Sequence, residues 1–210
     1  MSKSNIDLLE TGDIILFHGY KSSLDKSVEF FTKTDYSHIG MVLRDPKFTK
    51  IPLIGLFFWE SGLEEMPDAE DGKYKLGVQI VPFEDLYIKD LPESKLYWRK
   101  LNKKEKLDEN KLKQIHEVVY NKPYDLNFID WYDAWHRKDS EPQKTDRFWC
   151  SALVGYIYTK LGILPPTTDW SKMWPSDFSQ ENYRLTMINE YSLGNQIEIT
   201  KDWFIKYKNI

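Results

Sequence analysis

The chain has 210 residues, 41% hydrophobic, 15% aromatic and 30% charged, enough to bury a core of its own. Its 29 Lys and Arg against 33 Asp and Glu leave a net charge of -4, which gives no electrostatic ground for a nucleic-acid partner. One cysteine excludes an internal disulfide framework, and the longest apolar run, residues 51–59, falls short of the roughly 20 residues a membrane helix needs. The first residues, MSKSNIDLLETGD, lack the apolar stretch of a signal peptide, so a cytoplasmic protein is expected, folding as a single domain over 1–210.

The first predicted strand follows the Gly12-Asp13 turn and covers the apolar run 14–17, buried on both faces. A helix is expected over 22–34, where Leu24, Val28 and Phe31 share a face and Ser22 or Ser23 can cap the start. YSHIGMVLRD (36–45) reads as the next strand, Pro46 and Pro52 break it, and LIGLFFWESG (53–62) returns as its hairpin partner. After the polar connection 64–77, strands are expected at 78–83 and 95–101. Leu112, Ile115 and Val119 mark an amphipathic helix that Pro123 ends. Residues 131–147 have no clear period and read as an exposed excursion. A helix carrying Leu153, Ile157 and Leu161 in phase follows, with Gly162 as its stop. The proline- and tryptophan-rich loop 165–178 and a last strand at 195–200 complete the pattern.

The lone Cys150 falls at the first turn of that helix. Unpaired N–H groups and the helix dipole favour negative charge there, which suits a thiolate nucleophile and the oxyanion it generates. Read alone, the residue fits equally a small buried apolar side chain. A nucleophilic cysteine needs a base, and the base an orienting group. Of the four histidines, His38 lies on an apolar strand, with Gly40 leaving space on its own face. A hairpin centred near Thr49 sets position 38 opposite Glu60, whose carboxylate could fix the imidazole tautomer. A slip of one residue would break that pairing. A zinc site built on Cys150, His38 and a further histidine is disfavoured, because no close-spaced ligand pair exists.

The segments LLETGDIILFHG, YSHIGMVL, FWESG, NKPYDLNF, FWCSALVGYIYTKLGI and WPSDF, in this order from about Leu8 to Phe178, resemble the circularly permuted NlpC-type branch of the papain-like cysteine hydrolases. That branch includes YiiX-like bacterial proteins and a set of poxvirus proteins, with the lecithin–retinol acyltransferase group more distant. The resemblance implies an α+β papain-like fold, with an antiparallel sheet packed against the N-terminal end of a central cysteine-bearing helix. It places Cys150 as nucleophile, His38 as base and Glu60 at the third position, and gives Asp13 a structural part in the opening turn. Asn121 stands where glycine is common, and Phe148 and Trp149 ahead of the cysteine are less typical.

The implied activity is acyl hydrolysis or transfer on an amide, ester or thioester, without a cofactor or metal. A protein that kept the fold and lost activity is the alternative. The Cys150 N–H is one oxyanion donor, and Tyr36 and Tyr20 are candidates for a second. An aromatic surplus (Trp131, Trp135, Phe148, Trp149, Trp170, Trp174) could line an apolar cleft, favouring a lipid or acyl conjugate over a peptide and allowing peripheral membrane contact. A viral source would also allow a place in the virion.

Overall fold

The computed structural model describes residues 5–19, 36–62, 66–85, 94–125, 145–182, 184–200 and 203. The helix expected over 22–34 and residues 131–144 of the expected excursion lie outside them. Six strands form one antiparallel sheet: β1 (Ile14–His18), β2 (Tyr36–Arg44), β3 (Leu56–Gly62), β4 (Gly77–Pro82), β5 (Lys95–Asn102) and β6 (Ser192–Ile199). Their spatial order is β4-β3-β2-β1-β5-β6, so the first strand is central and the last lies on an edge. Two helices are described, α1 (Glu109–Val119) and α2 (Cys150–Leu161). Among the described residues, no helix is long and apolar enough to cross a membrane.

Strand alternation divides the core. Ile14, Leu16, Ile39, Met41, Leu43, Phe57, Trp59, Val78 and Ile80 point to one face and pack with Leu112, Ile115 and Val119 of α1 and Leu153 and Ile157 of α2. Ile15, Phe17, Val42, Phe58, Val81, Leu96 and Trp98 point to the other, over Ile6, Leu9 and Phe83. Both faces of β1 are therefore covered, which is why 14–17 is apolar at every position rather than alternating. α2 is buried at ten of its twelve residues, as befits a central helix, and Gly162 closes it in the left-handed conformation at φ 77°. α1 carries a single apolar stripe and is capped by Asp108, whose carboxylate accepts from the N–H groups of Asn110 and Lys111.

Two ties fix α2 lengthwise. At its C-terminal half, the Tyr158 hydroxyl donates to the Gly12 carbonyl at 2.6 Å, beside the start of β1. At its N-terminus, Ser151 Oγ and Trp149 Nε1 both donate to the Met173 carbonyl, at 2.6 and 3.3 Å. Asp13 joins β1 to β5: its carboxylate accepts from Leu101 N, Trp98 Nε1 and Glu10 N within 2.9–3.0 Å. The structural part expected of Asp13 thus has a geometry, three donors on one buried carboxylate.

Candidate active site

The ladder between β2 and β3 pairs Met41 with Trp59, Val42 with Phe58, Leu43 with Phe57 and Arg44 with Leu56. Carried further, this register sets Glu60 opposite Gly40 and Gly62 opposite His38. The expected register, 38 opposite 60, is off by two residues. The hairpin loop is closed by Asp45 and Gly55, which exchange Asp45 N→Gly55 O at 2.8 Å and Gly55 N→Asp45 Oδ1 at 2.7 Å, so it centres on Lys50 rather than Thr49. A shift of two preserves the face, and Glu60 becomes a diagonal neighbour of His38, within reach of a long side chain. His38 Nε2 and Glu60 Oε2 are 2.5 Å apart.

Two local features shape this contact. Between Phe17 and His18 the β1–β2 ladder slips, so that His18 pairs with Tyr36 and Phe17 with His38. Ser37 is the extra residue of this bulge. Tyr36 joins the core beneath α2, whereas His38 stands edge-on to Phe17, ring centroids 5.1 Å apart. The space beside His38 is not the gap expected at Gly40. The Phe58 ring lies over that glycine, and a Cβ there would fall 2.3 Å from its tip. The open position is Gly62, where an added Cβ would come within 3.0 Å of the Glu60 carboxylate. Glycine at 62 lets the carboxylate lean toward the histidine.

Cys150 is the first residue of α2, 2% exposed, and it is near enough to the His38 ring to act on its charge. Burial alone pushes the His38 imidazole down; the hydrogen bonds and charges of Cys150 and Glu60 outweigh it and hold the ring well above its ordinary 6.5. The turn before the cysteine is held from three sides. The Phe148 carbonyl accepts from Ser61 Oγ at 2.7 Å and from Asp125 N at 3.2 Å, and Phe148 N donates to Pro123 O at 3.1 Å. Imidazole and carboxylate therefore meet, although they come from residues 38 and 60 on two strands, with Cys150 near enough to raise the imidazole.

The remaining expected residues divide. Tyr36 is buried, and its hydroxyl accepts from Gln196 Nε2 at 2.8 Å. Tyr20, Trp131 and Trp135 lie outside the described residues. Phe148 does not line a cleft: it is 1% exposed, packed against Tyr156 and Trp170 at 5.4 and 5.5 Å, because the residue before an N-cap on a buried helix is carried into the core with it. Trp170 is buried in the same cluster. Trp149 and Trp174 are half-buried next to the helix start, the former as the N-cap of α2. Gln79, on β4, was not expected at the site. It pairs with Glu60 across the ladder and donates Nε2 to Glu60 Oε1 at 2.8 Å. The alternation of β4 would have put it on this face, had the register been known.

No protein-family model and no curated protein matches the chain. Among solved structures it is similar to the crystal structure of the metalloprotein yiiX from Escherichia coli O157:H7. The two share 18% identity and a TM-score of 0.50, over 93% of this chain and 98% of that one. The chain has the permuted papain-like α+β fold of that protein, as expected from the order of its motifs.

Proposed function

We propose that the protein is a cysteine-dependent acyl hydrolase or acyltransferase, acting on the carbonyl of an amide, ester or thioester. The observation that carries this reading is the His38 ring, 2.5 Å from the Glu60 carboxylate and held well above its ordinary 6.5 by Cys150 and Glu60 together. Glu60 orients the imidazole and supports its charge. The thiolate attacks the carbonyl carbon, and the new oxyanion is met by the Cys150 N–H, which lies in the first turn outside the helix ladder. Imidazolium gives its proton to the leaving nitrogen, oxygen or sulfur as that bond breaks, leaving a thioester on Cys150. Water, or another acceptor, then loses a proton to neutral His38 and attacks the thioester, restoring the thiol.

The yiiX protein is described as a metalloprotein. Among the described residues of this chain, no group of three or more His, Cys, Asp or Glu could hold a metal ion. A lipid or acyl conjugate and a peptide both supply the required carbonyl. The aromatic wall that favoured the former is reduced to Trp149 and Trp174 among the described residues.

The test is intact-mass analysis after incubation with short- and long-chain p-nitrophenyl esters, acyl thioesters and a peptide library. A hydroxylamine-labile acyl adduct on the wild type, absent from Cys150→Ala and His38→Ala, is the expected result. Equal labelling of wild type and Cys150→Ala would refute the reading, as would the absence of any adduct or turnover across the panel.

A further inference from the structure

We infer that Gln79 is a positioning residue of the site, acting on His38 only through Glu60; the inference rests on the triad proposed above. Gln79 stands directly across the β3–β4 ladder from Glu60. Its amide N–H donates to Glu60 Oε1 at 2.8 Å, while Oε2 of the same carboxylate meets His38 Nε2 at 2.5 Å. The two carboxylate oxygens thus have different partners on two neighbouring strands. Both side chains are buried, Gln79 at 2% and Glu60 at 5% exposure. A buried carboxylate oxygen without a donor carries a desolvation penalty, and its cheapest relief is to take a proton or swing toward another donor. Either would remove the charge that Oε2 presents to the imidazole. The missing Cβ of Gly62 leaves the carboxylate its room, since an added one would fall 3.0 Å from it. Gln79 fixes where in that room the carboxylate rests. Gln79, Glu60 and His38 link β4, β3 and β2 in one hydrogen-bonded line.

Because Cys150 is the only cysteine, its alkylation by iodoacetamide reads the site without any substrate. The rate is measured from pH 4 to 10 for wild type, His38→Gln, Glu60→Gln, Gln79→Met, Gln79→Leu and the Glu60→Gln/Gln79→Met double variant. The two Gln79 variants keep the bulk and remove the donor, so that either one suffices if the other fails to fold. The expected result is an upward shift of the alkylation midpoint by about one pH unit in each single variant. At pH 6 the rate should fall roughly fivefold or more. The double variant should move no further than Glu60→Gln. A Gln79 profile that superimposes on wild type while Glu60→Gln shifts would overturn the inference and leave the triad standing. So would shifts that add in the double variant, because Gln79 would then act by another route. If neither Glu60→Gln nor His38→Gln moves the profile, the triad reading fails, and this inference with it.

Discussion

Tyr158 offers a measurement of how firmly the site's helix is anchored. Its side chain is fully buried, and its hydroxyl donates to the Gly12 carbonyl at 2.6 Å. Tyr158→Phe keeps the ring packed against Phe178 and removes only the donor, leaving a buried carbonyl without it. The lost bond and the orphaned acceptor together cost about 1–3 kcal/mol. For a chain of this length that is a fall of roughly 3–10 °C in melting temperature. A pH dependence sharpens the test. Burial, with Asp13 nearby, pushes the phenol well above its ordinary 10, so it stays neutral in the native state. The unfolded phenol ionises near pH 10, and the stability this tyrosine contributes is present below that pH and lost as pH rises above it. The gap between wild type and Tyr158→Phe should therefore narrow by about 1.4 kcal/mol per pH unit above 10. Urea denaturation of both proteins from pH 7 to 11 measures it. A gap below about 0.5 kcal/mol at pH 7, or one unchanged between pH 9 and 11, would refute a buried, hydrogen-bonded phenol. The alkylation rate of Cys150 should be nearly unchanged at pH 7, since eight residues of helix, about 12 Å, separate the two positions.

Glu70→Gln acts on a second histidine–carboxylate pair, remote from the site. Burial works against the Glu70 charge, but His116 at 2.8 Å and the Lys50 N–H outweigh it and hold the carboxyl below its ordinary 4.5. Its stability is present above pH 4.5 and lost as pH falls through the lower native value. The variant should be about 1–3 kcal/mol less stable at pH 7, with the gap closing under acid in a denaturation series. Gly62→Ala puts a Cβ within 3.0 Å of the Glu60 carboxylate, so the alkylation midpoint should rise by roughly half a unit or more. A wild-type profile would show that the carboxylate has slack. Ser151→Ala removes the 2.6 Å tie to the Met173 carbonyl and should cost about 1–2 kcal/mol by thermal melting.

Much of the sheet was legible because its signals are local. The apolar run 14–17, the Gly162 stop and the stripe Leu112, Ile115, Val119 depend on near neighbours, and each element stands where its pattern put it. Strand ends were less so. β3 begins at Leu56 rather than 53, because Gly55, at φ 116°, belongs to the loop closure with Asp45. β6 begins at Ser192, three residues before the expected start, because edge pairing with Asn102 and Leu101 extends it through residues with no apolar pattern. Phe148 faces the core, and an aromatic residue ahead of a cysteine at a helix start has the same appearance in sequence whether it faces a cleft or the core. The choice was made by Tyr156 and Trp170, which no local pattern ties to it.

The histidine–carboxylate contact shows why a site can be found from a register that is wrong. Side chains alternate with period two along a strand, so the face of Glu60 relative to His38 depends only on the parity of the pairing. The loop centre assumed at 49 and the one observed at 50 differ by one residue, and a unit displacement of the centre moves the pairing by two. Parity survives, and the carboxylate lands on the histidine's face, one diagonal step away. What parity cannot supply is the closing of that step. Opposed partners would meet without help; diagonal ones need a long side chain, an empty position beside it and something to hold its far end. Glu60 supplies the length, Gly62 the room and Gln79 the hold. Those last two residues carry no chemical signal of their own in the sequence, and they follow only once the ladder is known. The same reasoning ranks the variants. Asp in place of Glu60 shortens the arm by one methylene, so Glu60→Asp should shift the alkylation profile as far as Glu60→Gln does, although it keeps the charge. A wild-type profile in Glu60→Asp would mean that charge alone, without the diagonal reach, sustains the imidazolium.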